Sequence, residues 1–460
     1  MNVRVLRTEL KRSLAPWAGV VALATTSALL YLISEPWSDT TTAWTGQWTS
    51  MALWTRTLLF YLWPLAMGLG ALQGLRDHRS KISDLLTSTP RPTWHRAATL
   101  AGTTAFTLVA AFVSLILVGA VQVLAHTRYT HLGWLPISLV GVLALVAGAV
   151  LGMGVARALP SVLTPPALAM GAFVFTAVLA RTETAAAPGA SPAPNRLALL
   201  SPAVERVPNA FVTLSASVHL GQTIWLLGVA STGFALLVAV TPRTRLLALA
   251  PVLAGAALAL LVLPSDPRRM FVVDEAAAKP VCDGSVCVTR TQQARLAGLA
   301  GPGKEALRLL HGVLGGRAPV TVRENAAVLP DGATPRWSRT TVLFDFDDDM
   351  FAAAKGEEVT KALVAQGMVP GCSPVGWSTF GGDQFAQTVA LGWVLGDLEP
   401  LPGTGSAALN RAVVARVRPV WKELMALPRA QQLARINAMR AAALSCEGDA
   451  FEVLKGGPSR

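Results

Sequence analysis

GWLPISLVGVLALVAGAVLGMGV, residues 133–155, runs for 23 positions without a charged side chain. Wound as an α-helix at about 1.5 Å per residue, a run of that length crosses a hydrocarbon layer about 30 Å thick. Six further runs share its character: 14–33, 52–72, 97–124, 162–180, 224–240 and 246–263. Run 14–33 is too long and uninterrupted, and lacks the small-residue cleavage site, for a removed signal peptide, so it is expected to stay as a helix. Over 460 residues, 52% are hydrophobic and 14% charged, where a soluble domain carries about 25% charged residues. Much of the chain must therefore face lipid.

Past residue 264 the excess of Ala, Leu, Val and Gly ends and ordinary globular sequence begins. The expected organisation is a basic amphipathic interfacial segment at 1–13, a six-helix transmembrane domain at 14–240, a seventh helix at 246–263, and an α+β domain at 265–460. The fold class is thus an α-helical polytopic membrane protein with a compact α+β domain after its last span.

Lys and Arg in short loops orient such a chain, because they are retained on the cytoplasmic side. With the amino terminus inside, the inner segments hold Arg4, Arg7, Lys11, Arg12, Arg76, Arg79, Lys81, Arg91, Arg96, Arg157, Arg243 and Arg245. The outer loops before the last helix hold only Arg128, Arg181, Arg196 and Arg206. The seventh run is flanked evenly, by Arg243 and Arg245 on one side and Arg268 and Arg269 on the other, and inherits its direction from the other six. Seven spans put residues 265–460 outside the cytoplasm, in the cell envelope or beyond.

Cysteine usage tests that assignment independently. Cys282, Cys287, Cys372 and Cys446 all lie in the last domain and none in the membrane part, as disulfides in an oxidising compartment require. Four cysteines allow three pairings. The favoured one joins Cys282 to Cys287 across CDGSVC and Cys372 to Cys446 across distant segments. The alternatives are four buried thiols, or zinc, which the spacings and the domain's one histidine, His311, do not favour.

The net charge is +12, and 17 basic against 7 acidic residues before Ser265 account for +10 of it. The excess is mostly membrane topology, with attraction to anionic inner-leaflet lipid as its side effect. Nucleic acid is not implied.

RDHRSKISDLLTSTPRPTWHRA, residues 76–97, interrupts the apolar pattern between the second and third runs. Ile82, Leu85 and Leu86 stand at i, i+3 and i+4 and form an apolar stripe on a short helix, with Ser83 or Asp84 able to cap it. Pro90 ends it, since a proline drives the residue before it out of helical geometry. Arg91, His95 and Arg96 anchor the following helix at the headgroups. A short helix with one apolar face and charged edges suits a groove on a partner; the bland reading is a loop whose basic residues only set topology.

Three features resemble the permease subunits of ABC-2-type ATP-binding cassette transporters, chiefly bacterial exporters. They are the basic start MNVRVLRTELKRSLAPW, the loop bearing Asp84, Leu85, Leu86, Thr89, Pro90 and Arg91, and a six-span core with a long outer segment at 181–221. The resemblance covers residues 1–240. It implies a dimer of permeases, of like or related chains, in the lipid bilayer, and an ATPase subunit that docks on Ile82, Asp84, Leu85, Leu86, Thr89, Pro90 and Arg91. ATP and magnesium then belong to that partner, and this chain needs no cofactor of its own.

GLAGPGKE, residues 298–305, matches G-x-x-x-x-G-K but carries Glu305 where a P-loop needs Ser or Thr, and follows a helical rather than a strand pattern. A glycine-proline turn between two amphipathic helices within 294–314 is expected instead. Strands are expected at 320–323 and 340–346, and helices at 357–366, 383–395, 407–425 and 429–444. FDFDDDM, residues 344–350, lacks the glycine turn and spacing of a calcium loop and reads as a strand running into an acidic helix start. No H-E-x-x-H or G-x-S-x-G occurs in the domain. Trp377 and Trp393 are expected in the core.

No acid in the apolar runs offers a proton relay. Arg56 is expected to snorkel outward, and Thr103, Thr104, Thr107 and Ser114 to bond within or between helices. Two functions remain: the permease of an ATP-driven exporter, or a membrane-anchored extracytoplasmic binding or sensing protein. No catalytic or metal constellation supports an enzyme.

Overall fold

The structure, a computed structural model, describes residues 15–33, 46–79, 93–127, 129–180, 183–185, 192–194, 196–204, 211–266, 269–327, 329, 333–352, 354–374, 382–403 and 406–457. Among the described residues, the helices of the apolar part are α1 (Ala15–Ile33), α2 (Trp48–Thr57), α3 (Leu59–Gly74), α4 (Thr93–His126), α5 (Trp134–Ala158), α6 (Thr164–Ala180), α7 (Ala216–Val238), α8 (Pro242–Leu247) and α9 (Ala250–Val262), with one further turn of helix at Arg76–Arg79. Among the described residues four spans satisfy length and hydropathy for crossing a membrane: Trp94–Ala125, Trp134–Ala158, Ala216–Val238 and Pro242–Val262. The bent pair α2–α3 makes a fifth if taken as one span.

Seven runs were expected, and the difference has local causes. The run at 52–72 is not straight: it breaks at Leu58 with a bend of 50°. The two residues before the break, Arg56 and Thr57, bond to the carbonyls of Pro202 and Val204. Helix α6 has only 17 residues.

Small residues set how closely these helices pack. A side chain at Gly152 of α5 would strike the Met67 carbonyl oxygen of α3, and one at Gly70 the Ala149 backbone. Gly154 of α5 faces Gly233 of α7 in the same manner, and Gly228 of α7 meets Gly255 of α9. Between apolar helices such backbone contact replaces the missing hydrophobic drive with dispersion. Thr103, Thr104, Thr107 and Ser114 back-bond to Leu100, Leu100, Thr104 and Ala110 along α4, as expected.

Two apolar clusters mark opposite ends of this bundle. At one, Ala71, Leu75 and Ala156 meet Leu168. At the other, Ala52, Ile137, Leu179, Val218, Ala259, Leu263 and Met270 come together. The start of α5, the end of α6, the start of α7 and the end of α9 therefore share an end with the last domain.

In that domain β5 (Pro280–Asp283), β6 (Val286–Thr289), β7 (Thr321–Glu324) and β8 (Thr341–Phe344) form one sheet in the order β5-β6-β7-β8, and only the β5–β6 hairpin is antiparallel. Helices α10 (Leu296–Leu314), α11 (Glu357–Met368), α12 (Gly382–Leu395), α13 (Ala407–Ala426) and α14 (Arg429–Ser445) pack with it around a continuous core, closed by α15 (Ala450–Leu454). The four late helices expected from the sequence are present. The expected pair of helices within 294–314 is corrected: α10 runs unbroken through Pro302. Gly303 lies against Val286, where a Cβ would fall 2.7 Å from Cγ2, so the glycine lets the helix rest on the sheet.

The domain boundary at 265 is also less clean than expected. Val212–Leu214 (β3), just before α7, pairs antiparallel with Phe271–Val273 (β4), just after α9. Between the membrane part and the sheet, the Tyr129 hydroxyl donates to Asp274 at 3.4 Å, and Arg290 lies 5.4 Å over the Tyr129 ring. Two further three-residue strands, β1 (Glu183–Ala185) and β2 (Pro192–Pro194), pair in the segment between α6 and α7.

Candidate functional site

The coupling residues expected from sequence, Ile82, Asp84, Leu85, Leu86, Thr89, Pro90 and Arg91, lie outside the described residues. What flanks them is described. Leu75, just past the end of α3, is buried with Ala71 and Ala156, and the chain re-enters at Thr93 with Trp94 and His95 stacked at 3.7 Å. Trp94 is half exposed.

Arginines gather at this end. Arg76 follows Leu75, and Arg157 sits in the last turn of α5. Arg245 reaches from α8 to the Ala158 carbonyl at 3.0 Å, and Arg243 lies on the same short helix. That helix starts with a reciprocal cap, Thr241 and Thr244 bonding each other's backbone, which fixes the turn between α7 and α9. Helix α4 ends near Tyr129, the residue that meets Asp274; at 34 residues it is about 51 Å long, so Arg96 near its start belongs to the arginine end as well.

The opposite end is closed by a knot around Arg56. Sequence reasoning expected it to snorkel; instead the side chain is 0% exposed and turned inward. Nε and Nη2 donate to Pro202 O at 3.0 and 2.8 Å, Nη1 to Ile137 O at 3.2 Å, and Nη2 also to Gln222 Oε1 at 2.7 Å. Gln222 Nε2 in turn donates to Leu199 O and Ser201 O. The rigid guanidinium fork suits several carbonyls at once, where an ammonium would not. Gly141 makes room for it, since a Cβ there would lie 3.1 Å from Arg56 Cδ. The sequence carried only half of the signal: Arg56 is the one charged residue of the run 52–72, but Gln222 is not singled out from Gln73 and Gln122, which also lie in apolar helices.

In the last domain the disulfides are Cys282–Cys287 and Cys372–Cys446, the favoured pairing. GLAGPGKE forms part of helix α10 and cannot wrap a phosphate. Glu324, at the end of β7, is 3% exposed and accepts the Thr289 N–H at 2.6 Å. Burial, reinforced by Asp345 and Asp347, lifts its carboxyl to about 7 against the pull of that hydrogen bond. Trp393 is core, its Nε1 donating to Gln432 at 2.9 Å; Trp377 lies outside the described residues. Among the described residues no group of three or more His, Cys, Asp and Glu could hold a metal ion. No protein-family model, curated protein or solved structure matches the chain.

Proposed function

We propose that the chain is the membrane permease subunit of an ATP-driven exporter of the ABC-2 type, which works in the plasma membrane beside a second permease copy and two ATPase subunits. The observation that carries this is the segregation of charge between the two bundle ends. Arg76, Arg96, Arg157, Arg243 and Arg245 gather at the end that bears the 75–97 loop, away from the disulfide-bonded domain. Positive charge in short loops is retained in the cytoplasm, and disulfides persist outside it. Both rules support the same orientation, with Leu85 and Leu86 in the compartment that holds ATP.

On this reading ATP-driven closure of the ATPases pushes on Asp84–Arg91, and the push travels along α3 and α4, the helices that the loop joins. The glycine seams between α3, α5 and α7 let the helices slide as packed bodies. ATP and magnesium stay with the partner, and this chain holds no catalytic group. The binding or sensing alternative draws support from the domain's own core and its strand pairing with the membrane part.

Co-purification from membranes separates the two. Leu85→Asp with Leu86→Asp should abolish recovery of an ATPase with the chain while its level and detergent elution stay unchanged. If no ATPase co-purifies with the wild-type chain, or if the double variant retains it, the coupling assignment falls.

A further inference from the structure

The two disulfides of the last domain differ in what they join. Cys372, between α11 and α12, is tied to Cys446, the residue that ends α14, 74 positions on. Cys372 N–H donates to Asp383 at 2.7 Å, and its sulfur lies 3.0 Å from the Ala443 carbonyl oxygen, so this bond, with both cysteines half-buried, ties the loop before α12 to the end of α14. Cys282 and Cys287 stand directly opposite one another on β5 and β6, five positions apart, and close a hairpin that the strand ladder already closes. Strand β5 is the sheet edge, and Cys282 is exposed while Cys287 is half-buried.

Everything needed to keep the hairpin in place without its disulfide is present. The tip turns at Gly284, whose φ of 61° suits glycine in a two-residue hairpin turn. Asp283 at the tip is held by Lys304 of α10 at 3.0 Å, and Val286 is buried beneath Gly303 of the same helix. At the base, Arg290 N–H donates to Lys279 O at 2.9 Å. A crosslink that closes so short a loop removes little entropy from the unfolded chain, and an exposed disulfide is open to attack by an external thiolate.

We propose that Cys282–Cys287 is a reversible thiol–disulfide exchange site that takes a dithiol as co-reactant, while Cys372–Cys446 is a permanent staple. A thiolate of the dithiol attacks the exposed Cys282 sulfur and the bond to Cys287 breaks, leaving the Cys287 thiolate to take up a proton. The second thiol of the reagent, losing its proton, then attacks the sulfur bonded to Cys282 in the mixed disulfide and releases the Cys282 thiolate, which is protonated. The dithiol is oxidised to a disulfide, the protein disulfide is reduced by two electrons, and the sheet keeps its register. This inference does not depend on the transport reading, only on the domain facing a compartment where disulfides form.

The test titrates the full-length protein in detergent with mixtures of reduced and oxidised dithiothreitol, traps free thiols with a maleimide, and quantifies the four cysteines by peptide mass spectrometry. Cys282 and Cys287 should be half-reduced at a ratio of reduced to oxidised reagent at least about tenfold lower than Cys372 and Cys446, and should re-form on return to the oxidised reagent. The double variant C282S with C287S should keep the wild-type melting temperature to within a few degrees. Reduction of all four cysteines together, reduction of the hairpin pair only once the domain has melted, or loss of the fold in the double variant would each overturn the assignment.

Discussion

Arg56 Nη2 donates to Gln222 Oε1 at 2.7 Å, and Gln222 passes the contact on through Nε2 to Leu199 O at 3.0 Å and Ser201 O at 3.2 Å. Two polar side chains 166 positions apart thus bind the 199–202 segment across the ends of α2, α5 and α7. Truncating Arg56 leaves Pro202 O and Gln222 Oε1 without these donors, and each orphaned buried acceptor costs about 1–3 kcal/mol. Arg56→Leu should therefore lower the melting temperature of the detergent-solubilised protein far more than Arg411→Leu, which alters an exposed position on α13. In a double-mutant cycle, Arg56→Leu with Gln222→Leu should cost less than the sum of the single changes. Additive losses would show that the two side chains do not act as one unit.

The glycine seam gives a second contrast. Gly152 of α5 abuts the Met67 carbonyl of α3, whereas Gly171 of α6 has open space where a side chain would stand. Gly152→Leu must push the two helices apart, and overpacking costs about 1–3 kcal/mol or more where backbone cannot yield. Size-exclusion chromatography should show a broadened or aggregated profile for Gly152→Leu and a wild-type profile for Gly171→Leu.

Glu324 makes the last domain sensitive to pH. Its carboxyl is lifted from 4.5 to about 7, chiefly by burial. The folded state then holds its proton to a higher pH than the unfolded chain does. That stabilisation is complete below the unfolded value of 4.5, falls as pH rises through about 7, and levels off above it. The full swing from this one group is on the order of 3 kcal/mol. Thermal melts of the full chain from pH 5 to pH 8 should show stability falling up to about pH 7 and levelling beyond it. Glu324→Gln, which can still accept the Thr289 N–H, should flatten the slope.

Cys372 and Cys446 close a long loop, and in the chain-entropy account a loop of that size contributes about 4 kcal/mol. Cys372→Ser with Cys446→Ser should lower the domain's melting temperature markedly and open cleavage sites around 371–374 to limited proteolysis. An unchanged digestion pattern would mean that the core alone holds these helices together.

The late helices were legible because local signals agree with tertiary needs. Gly356, in a positive-φ conformation, precedes α11, Ser406 caps α13 through the Leu409 N–H, and Pro428 starts α14. The apolar runs were legible by length, though length could not tell a straight span from the bent pair α2–α3. The unbroken course of α10 through Pro302 was not legible, because it depends on Gly303 packing against Val286, a contact that no local pattern encodes. Arg56 misled for a similar reason: its main partners are backbone carbonyls, which carry no residue signature. The pairing of β3 with β4 involves three residues on each side, too few for alternation to register.

That short ladder has a mechanical meaning. Strand β3 runs directly into α7, and β4 leaves α9; Ser215 N–H donates to Met270 O at 2.9 Å and Asp274 N–H to Phe211 O at 2.8 Å on either side of it. The domain is therefore not a bead on a string but a handle gripped by two helices at once. A tilt or twist of α7 cannot proceed independently of α9 without shearing the ladder, so the folded domain must swing with the pair. A fluorophore on the domain's outer surface would then report helix motion more than 100 residues away in sequence, with the ladder as its lever.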